Sequence, residues 1–176
     1  MTPAPPVGFE WAAHFAPEVT RVLSDLSPSA QQLLVAHAAL ECGWGQASAW
    51  RHGFNFGNLT AGAGYQGASW TEPDADWEYA ADGSRKRIPQ TWRAYATVGD
   101  ALLDYWHFLG WPRYRPARDS LVDGNLSSFV SRLHQGGYFT LPAMEYQARL
   151  EQCLYQVQRC LSTPAASTPQ PGAPTP

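Results

Sequence analysis

At 176 residues the chain has the length of a single domain and enough material for a sizeable core. Hydrophobic residues make up 44% and charged residues 15%, which excludes a disordered polyelectrolyte. The formal net charge of -3 excludes a binder that tracks nucleic-acid phosphates, so no nucleic-acid partner is expected.

The start, MTPAPPVGFEW, has no basic region followed by an apolar run, so no standard export signal is expected. No stretch is long and apolar enough to insert in a membrane. Residues 1–8 are Pro-rich and read as a flexible terminus. Phe9 to Leu26 has helical character, with Pro17 expected to interrupt it. Ser27-Pro28 is a helix start, a capping hydroxyl followed by Pro in the first turn. The helix that follows carries Leu33, Leu34, Val35, Ala36, Ala38, Ala39 and Leu40, apolar nearly all round, as a buried central helix must be. It ends at Glu41-Cys42-Gly43, with Gly43 suited to a left-handed cap.

From Gly43 to Ser69 the composition turns to Gly, Asn and aromatics with no helical or strand period, which reads as ordered loop. Asp76-Trp77-Glu78-Tyr79 and Ile88 to Tyr95 flank Ala81-Asp82-Gly83-Ser84, a hairpin signal. Thr97 opens a capped helix through Leu109, and Asn125 caps another reaching Leu133. A final helix is expected from about Pro142 to Leu161. Residues 162–176 contain only Ser, Thr, Pro, Ala, Gln and Gly and read as a disordered tail. The folded body is therefore residues 9–161, an α+β domain that is mostly helical with one small β-hairpin.

Eight Trp, eight Tyr and seven Phe exceed what a small core needs. Flat rings along a groove suit the apolar faces of sugars, and Tyr and Trp keep a polar edge for hydroxyls. Three cysteines, Cys42, Cys153 and Cys160, make neither a disulfide framework nor a zinc signature. No metal site and no cofactor are expected.

Glu41 stands apart as a lone carboxylate at the C-terminal end of a buried helix. Desolvation and the negative end of the helix dipole both disfavour its charge and raise its pKa. A carboxylic acid that stays protonated near neutrality is what protonation of a glycosidic oxygen requires. The competing reading is a glutamate bonded to loop N–H groups beyond the helix. Glycosidases of the common types need a second carboxylate across the bond. Glu72, Asp74, Asp76 and Glu78 enter the hairpin, the last three on one face of an ideal strand, and spacing alone does not choose among them. Such a cluster also suits a solvated edge strand.

The segment Ala39-Leu40-Glu41-Cys42-Gly43-Trp44-Gly45 resembles the "ALESGWG" signature of bacterial glucosaminidases, a family that includes the muralytic domain of the flagellar rod-assembly protein, autolysins and phage wall hydrolases. Asn55-Phe56-Gly57-Asn58-Leu59 resembles its "NLFGIK", Asp76-Trp77-Glu78-Tyr79 its "TTEY" and Trp92-Arg93-Ala94-Tyr95 its "FRVY". Ala101 to Leu109 is similar to its "ALxDYxxFL" helix and Arg113-Tyr114 to its "RY". Gly137-Tyr138-Phe139-Thr140 resembles "GYAT", and Tyr146 falls at the Tyr of "DPNYA". The likeness runs from about Gln31 to Leu161.

The resemblance implies a lysozyme-like fold with the hairpin beside the active-site cleft, and cleavage of peptidoglycan glycan strands after N-acetylglucosamine. It carries the acid role onto Glu41, the second carboxylate onto Glu78 and a cleft position onto Tyr138. Trp44, Asn55, Phe56, Asn58 and Trp77 are the further candidates for binding substrate. The protein is expected to act as a monomer on the cell wall, in the periplasm, outside the cell or delivered by a phage. The departures are Cys42 for Ser, the altered groove loop, and Leu141 for Asp.

Rival readings follow from the same residues. Cys42-Gly43-Trp44 resembles a thiol nucleophile motif, but Cys42 lies at the helix end where the dipole opposes a thiolate. His37 and Glu41, one helical turn apart, lack the second His of a zinc-protease helix, and His37 either bonds Glu41 or sits in the core. A wall-binding module without catalysis would use the same aromatic groove. A muramidase or lytic transglycosylase would cut the other glycosidic bond on the same fold.

Overall fold

The computed structural model describes residues 8–79 and 85–162 and, for Asp76–Tyr79 and Arg85, the backbone alone. The Pro-rich start, the hairpin turn Ala81-Asp82-Gly83-Ser84 and the tail from residue 163 lie outside the described residues. In chain order the elements are α1 (Phe9–Val22), α2 (Pro28–Glu41), α3 (Ser48–Gly53), β1 (Ser69–Tyr79), β2 (Arg85–Arg93), α4 (Val98–Leu109), α5 (Arg115–Val122), α6 (Leu126–Gln135) and α7 (Ala143–Ser162). The domain is α+β and mostly helical, with one antiparallel two-stranded sheet among the described residues. No described helix is long and apolar enough to cross a membrane.

α2 is the axis of the fold. Ser27 caps it by accepting from the Ala30 N–H, and Pro28 follows in the first turn. Ala30 and every residue from Leu33 to Ala39 are buried, enclosed by α1, α5 and α7. Each large apolar side chain among them, such as Leu33 or Leu34, contributes roughly 1.5–3 kcal/mol by leaving water, while the four alanines leave room for neighbouring helices to approach. At its far end the Gly43 N–H bonds Leu40 O and the Trp44 N–H bonds Ala39 O, with Gly43 at φ 55. This is the doubly bonded left-handed cap, and a glycine takes that backbone shape at no steric cost.

α1 departs from expectation, because it runs unbroken through Pro17. Trp11, Phe15 and Val19 on its buried face pack on Trp50 and α2, and that packing outweighs the one backbone bond a proline removes. Within the stretch expected as loop, Ser48–Gly53 forms a short helix whose Trp50 is anchored against Trp11 and Phe15. α5 carries no strong start signal, since Tyr114 at its N-cap makes no side-chain capping bond. The caps at Thr97 and Asn125 are as expected, each side chain accepting an N–H of the first turn.

The hairpin is longer than the two runs that signalled it, beginning at Ser69. Its register pairs Glu72 with Gln90 and Asp76 with Ile88, so three residues of one strand stand opposite one of the other. Asp74 lies inside this irregularity, and the strict alternation that would align it with Asp76 and Glu78 is broken there. At the other end the Arg93 N–H bonds Leu59 O, the Ala61 N–H bonds Thr91 O, and Thr60 bridges Trp92. The base of the hairpin is thereby fastened to the loop after α3.

Gly57 in that loop rests on the buried ring of Tyr105, where a Cβ would sit 2.4 Å from Cδ2. Gly57→Ala is expected to cost about 1–3 kcal/mol of stability by overpacking, read from the urea unfolding midpoint. An unchanged midpoint would show that the Tyr105 ring has room to retreat.

Candidate active site

Glu41 is the last residue of α2, and its carboxyl opens into a groove of about 250 Å³. One wall is the loop Gly57-Asn58-Leu59-Thr60, and Arg93 enters from the hairpin base. The other wall is aromatic: Phe108 and Trp111 at the end of α4, Tyr114 beyond it, and Tyr138 after α6. Phe108 stands 4.6 Å from the Tyr114 ring and 5.1 Å from Trp111 by ring centroids, forming a continuous apolar shelf. Trp111 is 47% exposed, enough to offer a face to a ligand.

Burial pushes the Glu41 carboxyl above its usual range. Hydrogen-bonding from Tyr146, Asn58 and Tyr138 works against that rise without cancelling it. The Tyr146 hydroxyl stands 2.5 Å from Glu41 Oε1 and fixes the carboxyl from the side of α7. Asn58 donates at 2.9 Å to the Glu41 carbonyl, one of the last carbonyls of α2 with no helical partner. The carboxyl is thus desolvated, oriented and exposed at one edge to the groove, as a proton donor to a bound oxygen must be.

Behind it lies a buried polar cluster. His37, one turn earlier on α2, is fully buried between Tyr146 and Tyr105, and burial lowers its pKa to about 3. The imidazole is therefore neutral at working pH. Tyr105, Tyr138 and Tyr146 are held above the usual phenol range, first by burial and then by the nearby Glu41.

The structure brings some expected site residues together and gives others packing roles. Glu41, Asn58 and Tyr138 line the groove. Trp44 does not: its ring packs edge-on against Phe9 and Trp11, because the left-handed turn at Gly43 carries it back over α1. Asn55 is buried and spends its amide on Leu59 N–H, Leu59 O and Arg93 O, holding the loop to the hairpin. Phe56 is a core residue between Phe15 and Tyr105. In this structure these three make packing and loop-holding contacts and are not among the residues that line the groove. Glu78 pairs through its backbone with Lys86, and the Glu78 and Trp77 side chains lie outside the described residues.

Arg93, Phe108, Trp111 and Tyr114 were not singled out as site residues from sequence. The visible signal was the aromatic run Tyr105-Trp106-His107-Phe108-Leu109-Gly110-Trp111, too dense for one buried helix face. Arg93 is set by Asp104, whose Oδ2 accepts from Arg93 at 2.8 Å and from the Tyr95 hydroxyl at 2.6 Å.

The thiol reading does not fit the geometry. Cys42 is buried away from the groove lining, and burial pushes its thiol up to about 12, opposing the thiolate a nucleophile needs. Among the described residues no three His, Cys, Asp or Glu side chains cluster as metal ligands, and Cys42, Cys153 and Cys160 are free.

The buried neutral His37 makes stability pH-dependent. The unfolded chain protonates His37 below its ordinary value of 6.5, whereas the folded protein resists until about 3. Stability is therefore lost as pH falls through that window, by up to about 1.4 kcal/mol per pH unit. The raised pKa of Glu41 has the opposite sign, stability being lost as pH rises, so the comparison is made between proteins that both retain it. Between pH 6 and 4 the unfolding free energy of the wild type should fall more steeply than that of His37→Gln, with parallel curves as the contrary result.

The family model for glucosaminidase, described as mannosyl-glycoprotein endo-beta-N-acetylglucosaminidase, matches residues 17–159. The chain is 31% identical over 144 residues to the peptidoglycan hydrolase FlgJ of Pseudomonas aeruginosa, covering 79% of this chain and 34% of that protein. It is 33% identical over 114 residues to FlgJ of Vibrio parahaemolyticus, covering 62% and 35%. The chain thus spans about a third of the length of these curated relatives. A peptidoglycan hydrolase mutant from Sphingomonas sp. A1 superposes with a TM-score of 0.68 at 26% identity, over 88% of this chain and 98% of that one. The glycoside hydrolase domain of Salmonella typhimurium FlgJ, truncated at its C-terminus, shares the fold with a TM-score of 0.63 at 24% identity, over 85% and 97%. With a matching model across most of its length, the chain belongs to the glucosaminidase family of glycoside hydrolases.

Proposed function

We propose that the protein hydrolyses the glycan strand of peptidoglycan after N-acetylglucosamine, with Glu41 as general acid and Glu78 as the second carboxylate. The observation that carries this reading is the Glu41 carboxyl itself, raised by burial, held by Tyr146 and facing an aromatic groove. The naming of the relatives as peptidoglycan hydrolases supports the substrate class.

A glycan strand lies along the groove with sugar faces on Phe108 and Trp111, and Asn58, Arg93 and Tyr138 offer polar contacts to hydroxyl and acetamido groups. Glu41 protonates the departing glycosidic oxygen, and the positive charge that builds on the sugar needs an ionised carboxylate opposite. Glu78 takes that role by its match to the family's Glu-Tyr before the hairpin turn, and it has to stay charged while Glu41 stays protonated. The hairpin swings toward a bound strand, so the pairing forms on substrate binding. The protein acts as a monomer on cell wall outside the cytoplasm. Cys42, Cys153 and Cys160 take no part.

Glu41→Gln keeps shape and hydrogen bonding but has no proton to deliver. It should lose at least ~10²-fold in turnover on purified peptidoglycan with its fold intact. Near wild-type clearing by this variant would remove Glu41 from the mechanism. Glu78→Gln should impair turnover far more than Asp74→Asn or Asp76→Asn. A crippled Asp76→Asn beside a healthy Glu78→Gln would move the second carboxylate. Mass spectrometry of borohydride-reduced digests should find N-acetylglucosaminitol at the new ends, whereas muramitol or anhydromuramic acid would assign the other glycosidic bond.

A further inference from the structure

With peptidoglycan as the substrate, as proposed above, the groove faces a choice of register. The strand alternates N-acetylglucosamine with N-acetylmuramic acid, so it can seat in two ways that differ by one sugar. Both sugars carry an acetamido group, and the muramic sugar differs by a lactyl ether on one ring oxygen. An aromatic shelf and a proton donor meet nearly the same atoms in either register. A groove that cuts one of the two bonds therefore has to answer the lactyl group, by contact or by exclusion.

The lactyl carboxyl brings acceptor oxygens, so the protein group that matches it is a donor, best of all a charged one. Arg93 is the one cation among the described residues that line the groove. It is firmly held. Its backbone N–H bonds Leu59 O at 2.9 Å, and its carbonyl accepts from the Asn55 amide at 3.0 Å. Its Nε donates to Thr60 O at 3.2 Å and its Nη1 to Asp104 Oδ2 at 2.8 Å. The Tyr65 ring covers the guanidinium, with Cζ 4.8 Å from the ring centroid.

A guanidinium has five N–H donors, and these contacts use one on Nε and one on Nη1. Nη2 has no acceptor among the described residues, and 14% of the side chain is exposed. An arginine fixed in this way loses little freedom on taking a further acceptor. Asp104 offsets part of its charge, but Asp104 Oδ2 is shared with the Tyr95 hydroxyl at 2.6 Å and does not line the groove. The other donors there are weaker candidates. Asn58 donates to the Glu41 carbonyl, Tyr138 donates to Gly57 O, and Thr60, Trp111 and Tyr114 carry no charge.

We propose that Arg93 determines specificity, its Nη2 donating to the lactyl carboxyl oxygen of a muramic sugar and so setting which glycosidic bond lies at Glu41. That oxygen belongs to a free carboxylate on a strand stripped of peptide, or to an amide carbonyl where a peptide is attached. In the wrong register Nη2 faces a sugar without the lactyl group, and a donor desolvated by the strand is left without its acceptor. The contact is additional to those with hydroxyl and acetamido groups, which both sugars offer alike.

Register is read from the ends of the products. Purified peptidoglycan is digested with the full chain, wild type or Arg93→Gln, and the borohydride-reduced ends are counted by mass spectrometry. Arg93→Gln should raise the minor end about tenfold relative to the major one, the discrimination expected of one charge-assisted hydrogen bond. A slower Arg93→Gln with an unchanged ratio of ends is what a merely structural role gives, and it overturns the proposal. Which end is major in the wild type tests the assignment of the bond, whereas the change in ratio tests Arg93 whichever bond is cut.

Binding gives a second readout that needs no turnover. The Glu41→Gln chain is titrated by calorimetry with three tetrasaccharides. One alternates the two sugars with free lactyl carboxyls, one carries peptides on those carboxyls, and chitotetraose has no lactyl group. The free-acid ligand should bind about tenfold tighter than chitotetraose, and the advantage should vanish when Arg93→Gln is added. A peptide-bearing ligand that shares the advantage assigns the contact to the carbonyl oxygen; one that lacks it assigns the contact to the carboxylate. Equal affinity for the free acid and chitotetraose, or an advantage that survives without Arg93, overturns the proposal. Where Arg93→Gln does not fold, the comparison of ligands decides.

Discussion

A helix that is apolar on every side has to be enclosed, and the enclosure of α2 governs the rest of the molecule. α1, α5 and α7 close around it, and whatever sits at its C-terminal end is drawn into a medium that disfavours charge. Glu41 occupies that end. Its raised pKa follows directly from where the helix stops, and Gly43 in its left-handed cap decides that it stops there. The groove forms because the chain, turned away by the cap, returns as the loop around Asn58 rather than as a further layer of core.

Enclosing a carboxyl and an imidazole in the same core demands that both be satisfied. A buried polar group without a partner costs about 1–3 kcal/mol, and here phenols supply the partners instead of ions. Tyr105, Tyr138 and Tyr146 each come from a different segment, so satisfying His37 and Glu41 also pins α4, α7 and the turn after α6 to α2. Structure and chemistry share the same hydroxyls. The hairpin lies outside this arrangement, and among the described residues its base is tied through Leu59, Thr60, Asn55 and Arg93 and packs on α3.

What was legible in the sequence were features whose physics is local. The Ser27-Pro28 start, the caps at Thr97 and Asn125, and the Gly43 stop depend on a few adjacent residues and appear as expected. Glu41 was legible because a lone acid on an apolar helix is costly and therefore conspicuous. The packing of Trp44, Asn55 and Phe56 was not legible, since polar and aromatic residues near a groove serve a core equally well and only tertiary contacts choose. Pro17 was misread for a related reason: its cost to α1 is local, but the compensation comes from Trp50 and α2. The irregular register between Glu72 and Asp76 likewise depends on the partner strand, which a single strand's alternation does not reveal. Arg93 and Trp111 reach the groove from segments remote in sequence from Glu41, and no spacing rule links them.

The central claim is that a carboxyl kept protonated by burial supplies the proton to the glycosidic oxygen. It is tested most directly by following the ¹³C resonance of the Glu41 side-chain carboxyl through a pH titration, alongside the pH dependence of kcat on purified peptidoglycan. The carboxyl should titrate above the ordinary glutamate range, and the alkaline limb of kcat should track the same group once substrate is bound. A Glu41 that ionises like an exposed glutamate, in an enzyme still turning over at neutral pH, would contradict the claim.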